Sequence, residues 1–359
     1  MRNELVNIGG TSASLEAGSP VRLSFAAARS SPCSDCAQSP CCTYLPLQTF
    51  SISTLAELDN AAFLLNFDRI ELNVNSAGLW SAYYAQPCSF LDAGTYGCRL
   101  HGTPEQPDIC VHYNPYQCFY KPAFRGGGSE QVIRMDRARL EHLSTLVAFD
   151  EDRNVCDQPD WETTVRELAR LPLAESLKPA EETPPEEDPT ASWRDLVLLG
   201  RRPGDGAAAA FNPADPCEGC GAWCCKSLIF PQPVPATATN LDYFRFCLGF
   251  PGVQLGIAEG VWAVMVMTRC RHLVGNRCSV YGLPERPLRC RYYSAQSCGY
   301  KPVFTYERPE NLFRIGRAEL PALTSLISFD AYGQVEEMPP VARIRERIEE
   351  GFRAIRNRS

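Results

Sequence analysis

The sequence predicts an irregular, loop-rich α+β protein built from two homologous, metal-nucleated cysteine-cluster domains. Three observations lead there. Sixteen of the 18 cysteines fall into two matched sets of eight, the stretches that carry them occur twice along the chain, and 29 prolines in 359 residues predict many loops.

The length suits two domains of ordinary size, each able to bury a core. Hydrophobic residues make up 45% of the chain and charged residues 21%, as in globular proteins. A net charge of −7 argues against nucleic acid as a partner, because that needs a broad basic surface. Met1 to Pro20 lacks the apolar region of a secretory signal. The longest apolar run, Gly260 to Met267, is the size of a strand and too short to span a bilayer. The expected location is therefore the cytoplasm, away from membranes. Reducing conditions there disfavour disulfides and turn a cysteine-rich pattern toward metal binding or catalysis.

The repeat fixes the domain layout. Pro87 to Phe124 aligns with Arg269 to Phe304 across a two-residue gap. Leu58-Asp59 matches Leu241-Asp242, Phe67 matches Phe250 and Trp80 matches Trp262. Further on, Arg134, Arg137, Leu140, Leu143, Phe149 and Asp150 match Arg314, Arg317, Leu320, Leu323, Phe329 and Asp330. The first cysteine-cluster domain is assigned to residues 1–170, a Pro/Glu-rich linker to 171–204, and the second domain to 205–359.

Local patterns supply the elements. Ile70-Leu72 with the Trp80 segment, and Val253-Leu255 with the Trp262 segment, predict small hairpins. Ile133 to Phe149 and Leu312 to Phe329 carry apolar residues three and four apart and predict helices, the second broken or started at Pro321. Trp161 to Leu171 and Val341 to Ile355 predict charged helices. Asp59 and Asp242 read as helix-start residues, and Glu105 and Glu285 as turn caps. The Gly- and Pro-rich cysteine stretches read as loops.

The duplication also filters the ligands. Cys33, Cys36, Cys41, Cys42, Cys88, Cys98, Cys110 and Cys118 match Cys217, Cys220, Cys224, Cys225, Cys270, Cys278, Cys290 and Cys298. Cys156 faces Glu336 and Cys247 faces Leu64, so these two fall outside the metal set, Cys247 as a small buried hydrophobe. No histidine is matched: His101, His112, His142 and His272 face Tyr281, Tyr292, Ala322 and Phe90. Each site is thus expected to be thiolate-only, which excludes Mg and Ca and leaves Zn, iron–sulfur or Cu(I). The vicinal pairs Cys41-Cys42 and Cys224-Cys225 suit two metals, or two irons of one cluster, better than a disulfide with each other. Among basic residues, Lys301, Arg286 and Arg291 are the candidates for contact with the cofactor, since a cation beside thiolates offsets their charge. Lys121, Arg134, Arg137, Arg314 and Arg317 have the same potential, although surface pairing is the commoner fate of such residues. There is no nucleophile–base set, phosphate loop or dinucleotide fingerprint.

Cys217-Glu-Gly-Cys220, Cys224-Cys225, Cys270, Cys278 and Arg286-Pro287-Leu-Arg-Cys290-Arg291 together resemble the YkgJ-type CxxCxxCC cysteine-cluster family, described as zinc- or iron-chelating. The first half resembles it less. Four residues precede Cys41, Gln106 stands before Pro107, and Val111 follows Cys110. The resemblance implies a metal-binding protein with an iron–sulfur cluster, [4Fe–4S] in type, or Zn in each half. One branch of the family comprises iron–sulfur protein lysine methylases, which implies an alternative reading as such a transferase. A third reading is metal storage or delivery. Whether the chain is an enzyme stays open. A protein partner or protein substrate fits the first two readings. Any activity is expected in the second half, which keeps both arginine elements.

Overall fold

The computed structural model describes residues 39–112, 132–173, 222–292 and 313–356. In the first half, β1 (Tyr44–Phe50), β2 (Ile70–Asn75), β3 (Trp80–Ala85) and β4 (Val132–Met135) form an antiparallel sheet in the order β1-β3-β2-β4. Ile70, Leu72 and Val74 point to the core while their neighbours do not, the period of two expected of a sheet with one face covered. The predicted hairpin is the β2–β3 pair, with Val74 opposite Trp80.

Helix α1 (Leu55–Leu64) covers this sheet. It starts at Thr54, whose hydroxyl accepts the Glu57 amide while the Glu57 carboxylate accepts the Thr54 amide, a complete capping box. The short helix α2 (Asp108–Val111), α3 (Arg137–Ser144), a hairpin of β5 (Ala148–Phe149) and β6 (Val155–Asp157), and α4 (Trp161–Ala169) follow.

The second half repeats this order. Strands β7 (Ser227–Gln232), β8 (Val253–Ala258) and β9 (Val261–Met267) and the later β12 (Phe313–Ile315) pair in the order β7-β9-β8-β12, the same arrangement as in the first half. Between β7 and β8 lies α5 (Ala238–Cys247), capped by Thr237 as α1 is by Thr54. Then come the small hairpin β10 (Leu273–Val274) and β11 (Arg277–Cys278), α6 (Leu288–Tyr292), α7 (Leu320–Thr324), the hairpin β13 (Ser328–Phe329) and β14 (Val335–Glu337), and α8 (Val341–Arg356). Left-handed backbone recurs at matched positions as well: Arg69 and Gly252, Gly78 and Gly260, Arg153 and Gly333. The unmatched cysteines also fall at equivalent places. Cys247 ends α5 where Leu64 ends α1, and Cys156 is central in β6 where Glu336 is central in β14.

The halves interlock. Leu45, Leu58, Leu72 and Met135 of the first and Phe244, Leu255, Trp262 and Ile315 of the second belong to one continuous buried cluster. The turn after each long helix reaches the other half. The Arg271 amide donates to the Asn66 carbonyl (2.7 Å) and, symmetrically, the Ser89 amide donates to the Gly249 carbonyl (2.8 Å). The Asp68 amide donates to Arg269 (2.9 Å), the Thr268 hydroxyl to the Asp68 carbonyl (2.5 Å) and the Tyr84 hydroxyl to the Pro251 carbonyl (3.1 Å).

Several local expectations change. Residues 132–135 and 313–315 are strands, because they complete the open edges of β2 and β8. Helix is confined to α3 in the first case. In the second, a 3-10 turn over Arg317–Glu319 leads into α7 with Pro321 in its first turn, the start that its missing N–H allows. Arg134 and Arg314 therefore sit on strands. The terminal helices α4 and α8 form as expected. The linker lies outside the described residues apart from its first few positions. Among the described residues no helix is long and apolar enough to cross a membrane.

Candidate metal centre

Cys88, Cys98 and Cys270 lie in loops as expected, the last two at isolated bridges, whereas the other described matched cysteines sit on short turns, helices or a strand. Cys41 and Cys42 lie on a 3-10 turn, Pro40–Cys42, and Cys224 and Cys225 on its counterpart, Trp223–Cys225. Both turns are entered through a left-handed residue other than glycine, Ser39 (φ 38°) and Ala222 (φ 55°). A Cβ is disfavoured there by about 1–2 kcal/mol, so the same strain is held twice beside the same pair of thiols.

The other cysteines close on these turns through matching backbone bonds. The Cys88 amide donates to the Cys42 carbonyl (2.7 Å) and the Cys270 amide to the Cys225 carbonyl (2.8 Å). Cys98 bridges Leu91, as Cys278 pairs with Leu273. Cys110 lies on α2 and Cys290 on α6, their amides donating to Pro107 (2.8 Å) and Pro287 (2.9 Å). Cys41, Cys42, Cys88, Cys98 and Cys110 are thus gathered in the first half, and Cys224, Cys225, Cys270, Cys278 and Cys290 in the second. Cys33, Cys36, Cys118, Cys217, Cys220, Cys298, Lys121 and Lys301 lie outside the described residues.

The thiols sense one another. Burial pushes Cys110 up to about 12, and Cys41, Cys98 and Cys88 push the same way. Burial also pushes Cys290 up to about 12; Arg286 opposes this, while Cys224, Cys270 and Cys278 add to it. Within the vicinal pair, the hydrogen bond from Cys42 holds Cys41 below the ordinary thiol range and Cys42 above it. Burial and neighbouring thiols disfavour the thiolate forms of Cys110 and Cys290, and a nearby cation would act in the opposite sense.

All described cysteines are free thiols. Sγ of Cys224 and Sγ of Cys225 are 3.9 Å apart. That is far beyond a disulfide and close to the edge, about 3.8 Å, of a thiolate tetrahedron built with 2.3 Å Zn–S bonds. Among the described residues no three His, Cys, Asp or Glu side chains close to metal-ligand geometry. By chemistry alone, a thiol-only donor set suits a thiophilic metal.

The arginines divide. Arg291 is occupied by backbone, its Nε donating to the Arg286 carbonyl (2.7 Å) and its Nη2 to the Pro284 carbonyl. Arg286 stacks on Tyr281 (4.3 Å), and its charge partly opposes the upward shifts of Cys224 and Cys290, which the hydrogen bond from Cys225 and burial, respectively, chiefly cause. With Arg291 it lines a shallow cleft formed by Gly282, Leu283 and Pro284. Arg134 pairs with Glu71, and Arg137 with Glu141 and Asn66. Arg317 crosses the junction of the halves, lying over Phe90 (4.3 Å) and next to Cys88.

Sequence reasoning misplaced Asp59 and Asp242. Neither starts its own helix, since Thr54 and Thr237 do that. Asp59 Oδ2 accepts the Leu288 amide (2.7 Å) at the head of α6, and Asp242 Oδ2 accepts the Asp108 amide (2.5 Å) at the head of α2. Each caps the cysteine helix of the opposite half. The available signal was a matched acid within a helix that already had its own cap. Of the expected turn caps, Glu105 offers its backbone carbonyl to Arg317 (3.4 Å). No protein-family model, curated protein or solved structure matches the chain.

Proposed function

We propose that the chain is a metal-binding cysteine-cluster protein in which each half holds an iron–sulfur cluster or zinc through thiolates. The observation that carries this reading is the double occurrence of one arrangement. A strained turn presents a vicinal pair, and the third cysteine is hydrogen-bonded to that pair's second carbonyl, at 2.7 Å in one half and 2.8 Å in the other. Chance crowding of thiols does not repeat its backbone bonds.

The residues that would hold the group are Cys41, Cys42, Cys88, Cys98 and Cys110 in the first half and Cys224, Cys225, Cys270, Cys278 and Cys290 in the second. Cys33, Cys36 and Cys118, and Cys217, Cys220 and Cys298, would complete the sets. Bound zinc would supply folding energy, whereas an iron–sulfur cluster would supply an electron-transfer or Lewis-acid centre. The protein's own part is to gather the donors, exclude water from the partly buried ones, and set a guanidinium beside each site, Arg317 near Cys88 and Arg286 near Cys224 and Cys290. The family resemblance favours iron–sulfur.

Purification under anaerobic conditions, elemental analysis and a visible spectrum test the reading. Whole-number iron with matching sulfide and a brown, dithionite-sensitive band is the expected result. Zinc at whole-number stoichiometry without visible absorption would keep the metal site and reject iron–sulfur. A protein that purifies metal-free and takes up neither metal would reject the reading.

A further inference from the structure

We propose that Asp59 and Asp242 are positioning residues for the metal sites of the opposite halves, and that through them the two sites load as a coupled pair. This rests on the metal-binding reading above.

The cysteine helices are too short to hold themselves. α2 has four residues and α6 five, well below the length at which a helix persists on its own. Each carries one cysteine, Cys110 or Cys290, and the exposed amides of its first turn need an acceptor. For α2 that acceptor is Asp242 on α5, which the Ile109 amide also faces. For α6 it is Asp59 on α1, which the Arg289 amide also faces. Pro107, the N-cap residue of α2, makes no side-chain cap of its own.

A second pair of links reaches the remaining cysteines. The turn that ends α1 receives the amide beside Cys270, Arg271 to Asn66, and the turn that ends α5 receives the amide beside Cys88, Ser89 to Gly249. Gly249 also packs tightly there, since a Cβ built on it would lie 3.3 Å from Cys88 Sγ. Each long helix thus holds two cysteine-bearing segments of the other half, one at its middle and one at its end. Fixing Cys88 and Cys110 on a metal orders α5, which belongs to the half that carries Cys270 and Cys290. The converse holds through α1. Coupling of this kind is reciprocal by linkage.

The test uses the full chain and Co(II) as a probe, whose thiolate charge-transfer bands report ligation. One variant blocks the second half (Cys270→Ser with Cys290→Ser) and another blocks the first (Cys88→Ser with Cys110→Ser). The product of the two single-half association constants is compared with the overall constant of the wild type. Coupling predicts that the wild-type constant exceeds the product by about five- to ten-fold. Asp59→Ala with Asp242→Ala should remove the excess, and Asp59→Asn with Asp242→Asn, which keeps an acceptor oxygen, should retain most of it. A wild-type constant equal to the product, with thiolate bands present, overturns the coupling and leaves the metal reading standing. Absence of thiolate bands in the wild type overturns the metal reading itself. If a blocked chain does not fold, amide exchange in the wild type decides. As Co(II) is added, Asp108-Ile109 and Leu288-Arg289 should gain protection together. Gains in two separate steps overturn the proposal.

Discussion

The carboxylate of Asp59 accepts the backbone amide of Leu288 at 2.7 Å, across 229 positions of sequence. With its counterpart, Asp242 to Asp108 at 2.5 Å, it makes each half a structural support of the other. Separate fragments 1–173 and 205–359 should therefore fail to give native far-UV circular dichroism alone and should recover it on mixing. Independent cooperative melting of either fragment would show that the interlock is dispensable.

The turn between β5 and β6 contains Arg153 at φ 66°, where the second half has Gly333 at φ 75°. An L side chain is strained there and glycine is not. Arg153→Gly should stabilise the protein by about 0.5–1 kcal/mol, the usual gain of relieved strain less the entropy cost of glycine. Urea denaturation measures it, and a loss of stability would mean that the Arg153 side chain makes compensating contacts.

The capping box of α1 gives a pH signature. Hydrogen bonds from the Ser53 amide, the Ser53 hydroxyl and Thr54 hold the Glu57 carboxyl below its usual range. A group whose pKa is depressed on folding stabilises the fold above its unfolded pKa, about 4.3 for Glu. That contribution disappears as pH falls through the folded value. Wild type should thus exceed Glu57→Gln in stability at pH 7, and the gap should close on acidification below about pH 4. A gap that widens on acidification would contradict the assignment.

Thiol reactivity should separate the two unmatched cysteines. Cys247 is 1% exposed and its pKa is pushed up to about 12 by burial, whereas Cys156 is exposed. Iodoacetamide at neutral pH should alkylate Cys156 quickly and reach Cys247 only after unfolding. Metal content should survive Cys156→Ala and Cys247→Ala. Loss of a whole metal equivalent from either would bring that cysteine into a site.

Core truncation should act on the whole molecule. Leu72 and Leu255 are the matched central residues of β2 and β8, both 0% exposed, and they belong to one cluster. Leu255→Ala should cost about 2–5 kcal/mol. The loss should lower a single unfolding transition seen equally by probes in both halves. Two transitions, only one of them shifted, would indicate separate cores.

The sequence by itself determined the duplication, the exclusion of Cys156 and Cys247 from the matched thiols, the two hairpins, and the charged helices α4 and α8. These are legible because each depends on local spacing: the interval between cysteines, a period of two, or a period near 3.6. Ile133 to Met135 were misread as helix, since apolar residues three and four apart do not reveal that the edge of β2 stands open beside them. Tertiary structure alone decided that the halves interlock and that Asp59 and Asp242 serve the opposite half. It also decided that Arg317 of one half faces Cys88 of the other. The physical reason is the range of the interaction. A hydrogen bond between positions 59 and 288 leaves no periodicity in either segment. It forms only when a shared hydrophobic core, non-directional and indifferent to sequence separation, has brought the two helices together.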